Sequence, residues 1–220
     1  MDVIDEAKYG EIETAALQEI VARVVARYKR PRVKVSISNR HIHLSQEDLR
    51  LLFGESYKLT YTKELLPGEF ACEETVSVIG RKGRFEKVRI LAPVRKETQV
   101  EISLTDSFTL GIPVPVNASG NLKEAGVVVI ENSRNGARIE RACAIAALRH
   151  IHLSNGFASM YGFSDKQIVS VSFEGPRGLR FDNVLLRVSK DFIEMMHVDI
   201  DEANAAGIKN DDYVTIHTAI

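Results

Sequence analysis

A chain of 220 residues, 45% of them apolar and 27% charged, is long enough for one large or two small domains with a real core. A formal net charge of -1 removes the electrostatic case for nucleic acid, and no apolar run is long enough to cross a bilayer. Its two cysteines, Cys72 and Cys143, do not amount to a disulfide framework.

The chain opens on an acidic stretch, Met1 to Glu13, without the basic and apolar regions of a signal peptide. The cytosol, or a compartment inside it, is the expected location. Residues 12–29 have the pattern of an amphipathic helix: Leu17, Ile20, Val21, Val24, Val25 and Tyr28 recur at three- and four-residue spacing. Arg30-Pro31 ends it, because the residue before a proline avoids the α region. Two readings fit this terminal segment, a helix packed on its own core and a detachable docking helix on a short basic linker.

Beyond Pro31 the texture changes to strands. Val33–Ile37, Thr75–Ile79, Gln99–Ser103, Val127–Ile130, Ile168–Ser172 and Tyr213–Ile216 alternate or run apolar as strands do. Helices are expected only around Gln46–Phe53 and Asp201–Ala206. The body is therefore expected to be mainly β, a barrel or sandwich rather than a doubly wound sheet.

The chain also repeats itself. Arg40-His-Ile-His-Leu-Ser45 recurs 109 positions later as Arg149-His-Ile-His-Leu-Ser154. Val76–Gly83 matches Val171–Gly178, each ending in a Gly-x-x-Gly turn, and Asp106–Ile112 matches Glu202–Ile208. Counting back ten residues from Gly111 and from Gly207 reaches Glu101 and His197, which thus occupy corresponding places. The period is too long for a solenoid, so two facing copies of one unit are expected.

A His-x-His strand presents both imidazoles on one face, because side chains alternate with period two. Such a pair grips a divalent ion, and a third ligand from a distant strand leaves an open catalytic position. The first half offers His41, His43 and Glu101; the second offers His150, His152 and His197. Both sets suit zinc, with cobalt, iron or nickel as alternatives. His217 has no repeat partner and is expected to be structural, and Cys72 has no thiol partner nearby. A cationic cluster, Arg89, Arg95 and Lys96, precedes Glu101, and guanidinium forks match phosphate oxygens. The Gly80–Gly83 and Gly175–Gly178 turns have the form of hairpin connections, and no Walker, dinucleotide or serine-hydrolase signature is present.

Ser38–Ser45, Val88–Arg95, Gln99–Ser103, Arg149–Ser154 and Met196–Gly207, in this order, resemble the PduL-type phosphotransacylases, the phosphate propanoyltransferases of bacterial microcompartments. The resemblance runs from about Pro31 to the end. It implies two similar β-barrel domains with short capping helices and a dimetal site, usually zinc, between them. It also implies that the first strand joins the C-terminal half, giving domains of 31–40 plus 148–220 and of 41–147, after a helix and linker at 1–30. By the resemblance, His41, His43 and Glu101 hold the metal that meets the coenzyme A sulfur, and His150, His152 and His197 hold the second metal. Arg95 contacts phosphate, and Ser38, Lys63, Arg89, Leu91, His197 and Asn204 contact coenzyme A.

The implied reaction moves a short acyl group, propionyl or acetyl, reversibly between coenzyme A and inorganic phosphate, with acyl-CoA, phosphate and acyl phosphate as its small-molecule partners. Family members in microcompartments carry an N-terminal amphipathic helix that directs them into the shell. The resemblance therefore favours the docking reading of residues 12–29, a shell protein as its partner, the compartment lumen as location and a homo-oligomer as assembly. Two other readings use the same ligands: a dimetal hydrolase of thioesters or phosphoesters, and a non-catalytic metal-binding module.

Overall fold

The computed structural model describes residues 14, 16–22, 24–25 and 30–217. In chain order it contains helical residues between 14 and 25 (α1), β1 (Arg32–Ser38), β2 (His41–His43), α2 (Gln46–Phe53), β3 (Tyr61–Leu66), β4 (Glu69–Ile79), β5 (Arg84–Ala92), β6 (Gln99–Glu101) and α3 (Leu104–Leu110). There follow β7 (Val116–Asn117), β8 (Gly126–Glu131), β9 (Arg138–Ala147), β10 (His150–Leu153), α4 (Asn155–Tyr161), β11 (Ile168–Phe173), β12 (Leu179–Val188), β13 (Met195–Asp199), α5 (Ile200–Ala206) and β14 (Tyr213–His217).

The strands form two rings. β1, β13, β10, β12, β11 and β14 close into a six-stranded barrel. β4, β5, β2, β6, β9 and β8 pair around a second ring, with β3 added to β4 and β7 to β9. Pairing senses correspond ring to ring. β2 runs parallel to β5 and antiparallel to β6, as β10 does to β12 and β13. The mainly β barrel expectation thus holds.

The two halves exchange their first strands. β1 immediately precedes β2 in the chain but pairs with β13 and β14 of the second half. β9 immediately precedes β10 but pairs with β6 and β8 of the first half. The registers agree: Ser36 faces His197 across β1–β13, and Ile145 faces Glu101 across β6–β9.

Each ring has its own apolar filling. Ile42, Leu44, Val78, Ile90, Val100, Ile130 and Ala144 pack in the first, and Val33, Val35, Ile151, Leu186, Met196, Val214 and Ile216 in the second. All are buried from water, which is the dominant favourable contribution to folding. At the β4–β5 turn only glycine fits, since a Cβ on Gly80 would lie 2.2 Å from the Leu110 carbonyl oxygen. Gly80 N–H donates to the Gly83 carbonyl at 2.9 Å, a hairpin closure rather than a phosphate loop.

Four short helices follow one rule. Ser45, Ser103, Ser154 and Asp199 are N-caps whose side chains accept from the N–H three residues on. The sequence shows no helix at α3 and α4 by periodicity, because seven residues span barely two turns. Ser103 and Ser154 are the local signals that mark them.

The described residues of α1 include Leu17, Ile20, Val21, Val24 and Val25, all 45–61% exposed. The remainder of the expected helix at 12–29 lies outside the described residues. No described helix is long and apolar enough to cross a membrane.

Candidate metal centre

The candidate triads follow from strand pairing. In β2 the central Ile42 is fully buried in the first core, which turns His41 and His43 to the opposite face. His41 lies directly across from Glu101 on β6. In β10, Ile151 and Leu153 point into the second core and His150 and His152 face away, with His150 directly across from His197 on β13. Both triads line one cleft, and within each the candidate ligand atoms lie within 4.8 Å of one another.

Ligand and cap are tied together. His43, Glu101, His152 and His197 each stand two residues before an N-cap, with a buried Leu44, Ile102, Leu153 or Val198 between. Each strand end is therefore pinned by a core side chain and a helix start, which holds the candidate ligand preorganised.

The imidazoles are oriented by their second nitrogens. His41 Nδ1 lies 2.8 Å from the Asn39 carbonyl, and His150 Nδ1 lies 2.9 Å from the Leu148 carbonyl. A carbonyl only accepts, so Nδ1 carries the proton and Nε2 is left as a lone-pair donor. His41 Nε2 lies 3.5 Å from Glu101 Oε2.

The donor set fits divalent ions. Among the described residues, His43 Nδ1, His152 Nε2 and His197 Nε2 are buried without any hydrogen-bond partner. An orphaned buried nitrogen is costly, and coordination to a cation removes that cost. Burial, followed by the charge of His41, pushes the His43 imidazole down to about 2. Burial, followed by His150, pushes His152 down to about 3, and burial holds His197 well below the usual range. Neutral imidazole is the ligand form. The cysteines behave oppositely: burial pushes Cys72 up to about 11 and Cys143 up to about 12, leaving both as neutral thiols outside the triads. His217 sits 2.7 Å from the Ser172 hydroxyl, away from the cleft, in agreement with its structural reading.

Arg95 enters the cleft through a shared hydroxyl. Its Nη1 donates to Ser119 Oγ at 3.0 Å, and Ser119 Oγ donates to Glu101 Oε1 at 2.8 Å. Gln99 Nε2 donates to the same Glu101 oxygen at 2.6 Å and to Ser119 at 2.9 Å. The Arg95 guanidinium also stands 3.6 Å from Glu69. One network thus positions a candidate metal ligand and a candidate anion ligand.

Ser38, Lys63, Arg89, Leu91 and His197 line the same cleft. Arg89 Nη1 donates to the Cys72 carbonyl at 2.6 Å. Asn204 does not line it, and instead stands exposed on α5. Ser119 and Arg187 are cleft residues that the sequence motifs did not point to. The repeat held a signal for Arg187: the spacing that relates Glu101 to His197 also relates Leu91 to Arg187. Ser119 lies in a segment with no counterpart motif.

Residues 34–209 match the family model described as phosphate propanoyltransferase. The chain belongs to the phosphate propanoyltransferase family. It is 52% identical over 191 residues to the phosphate propanoyltransferase of Thermotoga maritima, covering 86% of this chain and 90% of that protein. It is 44% identical over 193 residues to the one from Clostridioides difficile, with 87% and 92% covered. The Listeria monocytogenes protein of the same name is 40% identical over 201 residues, with 91% and 92% covered. Membership of the phosphate propanoyltransferase family makes the chain an acyltransferase, and the matched span contains both triads and Arg95.

Proposed function

We propose that the chain transfers a short acyl group, propionyl or acetyl, reversibly between coenzyme A and inorganic phosphate at a dimetal site. The observation that carries this is the pair of triads opening onto one cleft that also holds Arg95. His41, His43 and Glu101 would hold one divalent ion, and His150, His152 and His197 the other, with zinc the natural choice for these donors. Bound ions would supply Lewis-acid polarisation of the thioester carbonyl and stabilisation of the departing thiolate.

The chain's own residues do the rest. Arg95, steadied by Ser119, offers its fork to phosphate. Ser38, Lys63, Arg89 and Leu91 line the side of the cleft where coenzyme A is proposed to lie, and Asn204 is proposed as an outer contact. A phosphate oxygen attacks the carbonyl carbon, the C–O bond forms, and the C–S bond breaks with its electron pair on sulfur. Holding both reactants in one cleft supplies the proximity term, so no protein nucleophile is needed.

The exposed apolar residues of α1 support a docking role for the N-terminal segment 1–30, with a microcompartment shell protein as partner and the lumen as location. We likewise propose that the chain divides into domains of 31–40 plus 148–220 and of 41–147 and assembles as a homo-oligomer.

The test is thiol release from propionyl- and acetyl-CoA with and without phosphate, alongside elemental analysis. A transferase releases thiol only when phosphate is present. Equal release without phosphate would identify a hydrolase, and metal uptake without turnover a binding module.

A further inference from the structure

Arg187 is the second-last residue of β12 and lies directly across from His152 on β10. It lines the cleft together with Arg95. Its guanidinium sits over the Phe192 ring at 5.7 Å, and that ring stacks on His152 with centroids 4.0 Å apart and planes 6° from parallel. Phe192 is thus a spacer that fixes the guanidinium relative to a triad member.

Arg187 stands without an ion-pair partner among the described residues. Arg40, Arg84, Arg138, Arg141 and Arg149 each form an ion pair with a carboxylate. Among the described residues no carboxylate lies within ion-pair distance of Arg187, although the residue is half-buried. The second triad contains no carboxylate, whereas the first contains Glu101. Arg95, which belongs to the other barrel, lines the same cleft and is itself half-buried. Two half-buried guanidinium groups on one cleft, one of them without an ion-pair partner among the described residues, make a site for an anion. A dianion between the two guanidinium forks takes charge-assisted hydrogen bonds from both.

We propose that Arg187 contacts substrate directly, closing a cross-barrel arginine clamp with Arg95 on the phosphate that is acylated, and on the phosphoryl group of acyl phosphate in reverse. Phe192 is its positioning residue. This rests on the acyl-transfer reading above. Phosphate is favoured over the phosphates of coenzyme A because Arg187 stands beside His152, whereas Lys63 and Arg89 belong to the first ring.

The experiment compares wild type, Arg187→Met, Arg187→Lys and Phe192→Leu, each checked for metal content. Steady-state KM is measured for phosphate and for propionyl-CoA, and phosphate binding to the metal-loaded protein is measured by calorimetry without acyl-CoA. Arg187→Met should raise KM for phosphate at least tenfold, weaken phosphate binding in parallel, and leave KM for propionyl-CoA within twofold. Arg187→Lys, which keeps charge but loses the fork, should lie between, and Phe192→Leu should resemble it. An unchanged phosphate KM and phosphate affinity in metal-replete Arg187→Met overturns the clamp, as does a rise confined to KM for propionyl-CoA. Phosphate-independent thiol release by wild type would sink the transfer reading instead, and phosphate calorimetry on the same four proteins would still decide the clamp.

Discussion

His150 on β10 and His197 on β13 are direct cross-strand partners whose rings stack with centroids 5.0 Å apart. They stand to each other as His41 stands to Glu101 in the other ring. His150→Ala should therefore empty the second triad of metal and lower turnover by roughly 100-fold or more, since three ligands become two. Elemental analysis with phosphate-dependent thiol release checks this, and a fully active, metal-replete variant would refute the assignment.

Arg95→Ala should keep both metals and raise KM for phosphate by roughly 10- to 100-fold, the range of one to two charge-assisted hydrogen bonds. Equal phosphate saturation curves for variant and wild type would remove Arg95 from the site.

Ser119→Ala should act on two neighbours at once, because its hydroxyl receives from Arg95 and gives to Glu101. A drop of about tenfold in kcat/KM, with a raised phosphate KM and weaker metal retention against a chelator, is expected. Loss of metal retention alone would show that the Arg95 contact is incidental.

Acidification should destabilise the metal-free protein. Burial lowers His43 to about 2 and His152 to about 3 in the fold, against about 6.5 in the unfolded chain. The unfolded chain then binds more protons at acid pH, so the stabilisation is present above pH 6.5 and is lost as pH falls toward the folded values. Each such imidazole contributes roughly 1.4 kcal/mol per pH unit in that window. Thermal unfolding of chelated protein from pH 7.5 to 5.5 should show a falling Tm, and metal-loaded protein should resist the change. A flat profile in chelated protein would contradict the neutral buried imidazoles.

Removing residues 1–30 should leave a folded, active enzyme, because Pro31 supplies the carbonyl that accepts from Ile216 N–H at 2.8 Å and β1 begins at Arg32. Full-length and truncated chains compared for activity and for entry into shells should differ only in entry. Loss of folding would favour a helix packed on its own core.

Much of the centre was legible because period-two alternation and an exact repeat are local signals. Arg40–Ser45 and its copy state a strand, two candidate ligands and a helix cap in six letters. The third members of the triads, Glu101 and His197, show only in the correspondence between the two halves. Ser119 and Phe192 were illegible: one is a loop serine and the other a loop aromatic, and each acquires its role only through contacts across long sequence separations. The barrel partners of β1 and β9 were equally hidden from periodicity, which records which face is buried and not which strand lies alongside.

The crossed placement of β1 and β9 bears on how such a chain could arise. One repeat alone, paired by these rules, is an open five-stranded sheet with two bare edges and a dangling sixth strand. A second copy supplies the missing strand and receives one in return, so the smallest closed particle is a reciprocal dimer with twofold symmetry. Gene fusion would then convert a symmetric pair with identical side-chain triads into one polypeptide. Only afterwards could the triads diverge, one keeping a carboxylate at 101 and the other a third imidazole at 197.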